Sequence, residues 1–174
     1  MQSRQALQIL AVTFIFATGP YVANSAETQA TKAAASGGPS ATQIERGRYL
    51  VTVGNCNDCH TAGFAPSDGK VPEKEWLLGS GPLGFRGLWG TTYASNLRLS
   101  LSKMTEDGWV KFAKVFKTRP PMPWFNVNRW SDSDLRAFYH YVKQLGPPGS
   151  PTQEYVPADK EPKPPYVQWP EPPK

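Results

Sequence analysis

A chain of 174 residues allows one domain with tails, and a net charge of +5 with no recognisable reading module argues against nucleic-acid binding. Only 2 Cys and 2 His are present, so any motif that uses both thiols leaves no disulfide to brace the fold.

The chain opens as an export signal. Arg4 supplies a positive start, and residues 6–18 form an apolar run too short to span a bilayer comfortably. Gly19 and Pro20 break the run, and the small residues around Ala23, Ser25 and Ala26 offer a cleavage site. Residues 1–26 therefore read as a secretory signal peptide, with an uncleaved anchor as the alternative and the only route to membrane association. Residues 27–39, rich in Ala, Thr, Ser and Gly, read as a flexible linker.

The domain is expected over residues 40–148. Ser40 or Thr42 caps a first helix, in which Ile44, Gly47, Leu50 and Val51 recur at helical spacing. It runs toward Cys56-Asn57-Asp58-Cys59-His60, a C-x-x-C-H sequence. This pattern is the attachment signature of a c-type haem. Two thiols one helical turn apart reach one edge of a porphyrin as thioethers, and the adjacent imidazole swings under the iron. Structural zinc needs further ligands, of which His140 is the sole remaining N/S candidate of the usual type. A dithiol oxidoreductase uses C-x-x-C after a strand, and no strand alternation precedes Cys56. One covalently bound haem c is the reading adopted, with the haem as the main hydrophobic core.

Residues 61–93 are dominated by Gly, Pro and aromatic residues without a long period, as in Pro66-Ser67-Asp68-Gly69. Loops wrapped on a haem explain such a stretch, lined by Trp76, Leu77, Leu78, Leu83, Phe85, Leu88 and Trp89. Thr105-Glu106-Asp107 opens a second helix, with Trp109, Phe112, Ala113 and Phe116 on its apolar stripe and Pro120-Pro121 as its stop. Lys103, Lys111, Lys114, Lys117 and Arg119 gather in the same region, either to steer an acidic redox partner or as a solvated face. Ser131 caps a third helix, with Leu135, Phe138, Tyr139, Val142 and Leu145 as its stripe and Gly146 as its end. Residues 149–174 are proline-rich and expected as an extended strap or a free tail. The fold class expected is all-α, with about three main helices and long loops around one haem.

The iron's sixth site has three candidates, Met104, Met122 and His140, besides remaining open. Met122 is favoured, because prolines on both sides stiffen its loop and it lies off any apolar helical face. The pieces Gly47-Arg48-Tyr49-Leu50, Cys56 to His60, Trp89 to Asn96, Met122-Pro123-Trp124 and Ser131 to Leu135 together resemble the class I cytochrome c superfamily. They are especially similar to the cytochrome c domains that serve periplasmic dehydrogenases. The resemblance implies a cytochrome c fold, Met122 as distal iron ligand, and a first and last helix crossing with Gly47 against Phe138 or Tyr139. It departs where Asn96-Leu97-Arg98-Leu99-Ser100 replaces the usual Asn-Ile-Thr-Pro-Asp. It further implies an electron carrier, not an enzyme, located in the periplasm. Its donor would be a dehydrogenase and its acceptor a cytochrome or oxidase. A peroxidase-like or gas-sensing haem with a displaceable sixth site is the alternative.

Overall fold

A computed structural model describes residues 38–171. The predicted signal segment and most of the linker lie outside the described residues. Among those described, no helix is long and apolar enough to cross a membrane.

The frame is a pair of thirteen-residue helices, α1 (Ala41–Val53) and α6 (Asp132–Gln144). Ser40 caps the first by accepting from the Gln43 N–H (3.1 Å), and Ser131 caps the last by accepting from the Asp134 N–H (3.1 Å). They cross at Gly47. A Cβ there would strike the Ala137 carbonyl and lie 2.5 Å from Tyr141 Cβ. The expected partners Phe138 and Tyr139 are therefore corrected to Ala137 and Tyr141. The close approach needs the small Ala137 opposite the glycine, while Phe138 turns inward onto Trp109 (5.4 Å) and Trp130 (5.7 Å). Tyr139 turns elsewhere, donating to the Met104 carbonyl (3.0 Å).

Between these helices in the chain lie three more of consequence. α2 (Cys56–His60) is a single turn, and α3 (Leu97–Ser102) is capped by Asn96. α4 (Glu106–Val115) starts at Thr105 as its cap predicts. It ends five residues before Pro120, because Asn128 Nδ2 donates to the Ala113 (2.7 Å) and Phe116 (3.3 Å) carbonyls and closes its last turn. Its core face is Trp109, Val110 and Ala113. Phe112 is 44% exposed and stacks on Phe116 (5.2 Å), so the outer part of the expected stripe does not reach the core. A four-residue helix α5 (Trp124–Val127) follows.

The expectation of an all-α chain is corrected by a small sheet of order β2-β1-β3. β1 (Gly84–Gly87) and β2 (Gly90–Tyr93) form a hairpin, and Gly90 turns its corner at φ +94. β3 (Tyr166–Gln168) comes from the proline-rich tail and lies parallel to β1. The tail is thus a docked strap. Val156 and Thr91 exchange N–H···O bonds (2.7 and 2.9 Å), Tyr155 Oη donates to the Trp89 carbonyl (2.8 Å), and Arg86 pairs with Glu161 (2.6 Å).

The protein also has an interior of its own, contrary to the expectation that a haem supplies most of it. Val51, Leu77, Leu101, Leu135, Tyr141 and Val142 are buried in one cluster. Trp76 and Leu77, expected to line a cofactor, belong to that cluster, whereas Leu88 is 65% exposed at the hairpin tip. The loop residues of 61–93 therefore do not form a single lining.

Two outcomes follow. Replacing Gly47 with Ala gains about 1 kcal/mol of helix propensity but forces the crossing apart, and a net loss of about 2 kcal/mol is expected in urea unfolding. Glu73 accepts from Tyr141 Oη (2.6 Å) and from Arg48 Nε (3.1 Å), which hold its carboxyl below the ordinary value of 4.5. Its ionised form therefore adds stability above that value, lost as pH falls through the lowered folded-state pKa. Thermal melts below pH 4.5 should drop less steeply for Glu73→Gln than for the unsubstituted protein.

Candidate functional site

The turn α2 is set by its approach. Gly54 packs so tightly that a Cβ would lie 2.7 Å from the Leu50 carbonyl, and Asn55 takes the left-handed conformation (φ 53). The chain then enters α2 with Cys56 and Cys59 one turn apart. Both thiols are free and half-buried. A Cβ on Gly54 would lie 3.5 Å from both Cys56 Sγ and Trp130, and both of these side chains pack against the core cluster. Burial pushes the Cys56 thiol up to about 12, and burial followed by Asp58 raises Cys59. These are neutral thiols. A dithiol redox motif needs the opposite, a thiolate stabilised by its surroundings.

His60 is buried, and its Nδ1 is 2.7 Å from the Ser95 carbonyl. A carbonyl only accepts, so the proton sits on Nδ1 and the lone pair on Nε2. Burial lowers the pKa and keeps the ring neutral. Nε2 makes no hydrogen bond among the described residues. The histidine is thus oriented from behind, with its free lone pair presented as a metal ligand needs.

The neighbouring backbone is held just as firmly. Gly79 N–H donates to the His60 carbonyl (2.7 Å). Thr61 Oγ1 donates to Asn57 Oδ1 (2.7 Å) and accepts from the Leu77 N–H (2.8 Å). Leu77, fully buried at φ 62, offers its carbonyl to the Leu97 N–H (3.0 Å) at the start of α3. Arg98 completes the brace. This buried guanidinium donates to the carbonyls of Trp76 (2.7 Å), Lys74 (2.8 Å) and Leu145 (2.8 Å). Burial lowers its pKa. Asn57, Thr61, Asn96 and Arg98 were not recognised from the sequence as parts of this scaffold. The one available signal was Arg98 itself, a charge inside the apolar Leu97-Arg98-Leu99.

Of the three sixth-ligand candidates, two are engaged elsewhere. His140 Nε2 pairs with Glu106 (3.2 Å), and Met104 packs against the core cluster. Met122 lies outside that cluster, half-buried, and its carbonyl accepts from the Trp124 N–H (2.9 Å) at the start of α5. One segment contacts both the loop that carries Met122 and the histidine. Thr92 Oγ1 donates to the Pro120 carbonyl of the methionine loop (2.9 Å), and Ser95 holds His60. Thr92 and Ser95 are about 10 Å apart at full extension.

These features fit a haem. Two thiols sit at the spacing of thioether attachment, and one imidazole offers Nε2. Among the described residues no group of three or more His, Cys, Asp or Glu is placed to hold a metal ion without such help.

Comparison with known proteins agrees in outline. The chain is 31% identical over 117 residues to the cytochrome c subunit of the quinone alcohol dehydrogenase of Gluconobacter oxydans (strain 621H). That match covers 59% of this chain and 24% of the relative, so the chain spans about a quarter of the relative's length. The similarity points to a relationship with cytochrome c proteins and to electron transfer. No family model matches the chain, and no solved structure matches it.

Replacing Thr61 with Val keeps the shape and removes the hydroxyl. The Leu77 N–H is then buried without an acceptor, and a loss of about 2 kcal/mol in urea unfolding is expected.

Proposed function

We propose that this chain is a monohaem c-type cytochrome that carries single electrons between redox proteins. Cys56 and Cys59 would hold haem c through two thioethers, and His60 Nε2 and Met122 Sδ would be its axial ligands. The observation that carries this reading is the geometry of α2. Two neutral, unpaired thiols stand one turn apart beside an imidazole whose Nδ1–H is fixed on Ser95 and whose Nε2 is free. Haem supplies a one-electron couple when bound, and histidine–methionine ligation favours its reduced form. The chain's own residues would do the rest. Thr61, Arg98 and Ser95 would keep the histidine from moving, and the prolines flanking Met122 would hold the thioether in place.

Charge supports a protein partner. Residues 108–131 contain Lys111, Lys114, Lys117, Arg119 and Arg129 and no acid, which equals the chain's entire excess of 19 basic over 14 acidic residues. Lys111, Lys117, Arg119 and Arg129 are exposed in the same stretch as Phe112, Val115 and Phe125. An acidic partner docking weakly and briefly suits this surface. A dehydrogenase as donor, a cytochrome or oxidase as acceptor, and a periplasmic location after removal of residues 1–26 belong to the same reading. They are supported by the export-like N-terminal sequence and by the character of the relative. The haem-bearing domain is assigned to residues 40–148, with 149–174 as its strap.

The test is the exported protein itself. Its reduced spectrum should show a covalently bound haem that resists carbon monoxide. Met122→Ala should keep the haem attached, lower the potential and admit carbon monoxide. An unchanged potential with a retained sulfur-to-iron absorption band removes Met122 from the iron. A colourless folded product removes the haem altogether, and rapid carbon monoxide binding by the unsubstituted protein favours the sensing or peroxidase-like alternative.

A further inference from the structure

Asn96 is only 3% exposed, yet its side chain leaves no polar atom idle. Its Oδ1 accepts from the Leu99 N–H (3.0 Å) and caps α3. Its Nδ2 donates to the strap carbonyl of Ser150 (3.0 Å) and to the carbonyl of Pro148, where the domain passes into the strap. A primary amide has two N–H donors and one carbonyl acceptor, so the helix and the strap grip it from both ends. The preceding residue is Ser95, whose carbonyl accepts from His60 Nδ1 (2.7 Å). The strap's anchor and the histidine's anchor are thus consecutive residues.

The packing around them leaves little slack. Gly79, whose N–H holds the His60 carbonyl, lies under the same segment. A Cβ on it would fall 3.0 Å from the Ala94 carbonyl and 3.2 Å from Asn96 N, and would strike the Thr152 methyl of the strap. Strap, Asn96, Gly79 and His60 therefore form one continuous contact.

We propose that Asn96 is a positioning residue through which the C-terminal strap sets the hydrogen bond on His60. The linkage stands on the contacts just given, and its consequence at the metal rests on the haem reading above. A carbonyl held on Nδ1–H makes Nε2 a stronger donor, which favours the oxidised iron. Releasing the strap loosens the Ser95 carbonyl, weakens that donor and raises the potential. By reciprocity, oxidation of the iron tightens the strap.

Two substitutions isolate the link. Asn96→Ser and Asn96→Asp both keep a side-chain oxygen to cap α3 and remove both donors to the strap. Glu161→Gln is the control, removing the strap's ion pair with Arg86 on β1 while leaving Pro148, Ser150 and their bonds to Asn96 in place. In the full-length, reduced, exported proteins we would measure the midpoint potential and the deuterium exchange of the His60 Nδ1 proton by NMR. Both Asn96 variants should raise the potential and speed exchange about tenfold, as expected for loss of one hydrogen bond's support. Glu161→Gln should change neither. Wild-type exchange and potential in a folded Asn96 variant overturn the proposal, as does an equal shift in Glu161→Gln. Should the protein carry no haem, the carrier reading falls, and the exchange rates alone still decide whether the strap governs His60.

Discussion

One hydrogen bond, from His60 Nδ1 to the carbonyl of Ser95, joins the motif that holds the chemistry to the framework that keeps it still. It spans 35 residues and ends on a main-chain atom. That choice of acceptor has consequences. A carbonyl does not titrate and has no rotamers, so it fixes which nitrogen of the neutral ring carries the proton. The same stretch of chain then caps α3 and carries Arg98, so the histidine's support and the helix start are one piece of backbone.

Arg98 shows how the support is made stiff. A buried cation with no carboxylate beside it is unfavourable unless its donors are used. Here the guanidinium is surrounded by main-chain oxygens of Glu73, Lys74, Trp76 and Leu145, from two separate parts of the chain. These charge-assisted bonds tie the end of α6 to the loop after the C-x-x-C-H motif. Thr61 and the left-handed Leu77 tie that loop back to α2. The Gly47 crossing adds the last side of the frame, since α1 delivers the chain into the motif at a distance set by Ala137 and Tyr141.

Much of this was legible in the sequence where the signal is local. Ser40, Thr105 and Ser131 mark the three long helices because a capping oxygen must sit within three residues of its donor. Cys56, Cys59 and His60 are contiguous, so their spacing speaks directly. The sheet was not legible. Its strands are four, four and three residues long, too short to establish alternation, and the third comes from proline-rich text about 80 residues away. The exposed Phe112 and the Ala137 crossing were missed because a stripe gives the side of a helix, not which neighbour it meets. Ser95 could not have been found, because its contribution is a carbonyl that every residue possesses. Met122 stood out in the sequence by its flanking prolines, and the structure engages the other two candidates, Met104 and His140, elsewhere.

The parallel pairing of β1 with β3 also dictates an order of assembly. Ribosomal synthesis delivers residues 84–87 long before residues 166–168, so the ladder between them closes only once residues 166–168 have emerged. The clasp on Asn96, made by Pro148 and Ser150, can form earlier, so the strap docks in two stages, first beside Ser95 and later along β1.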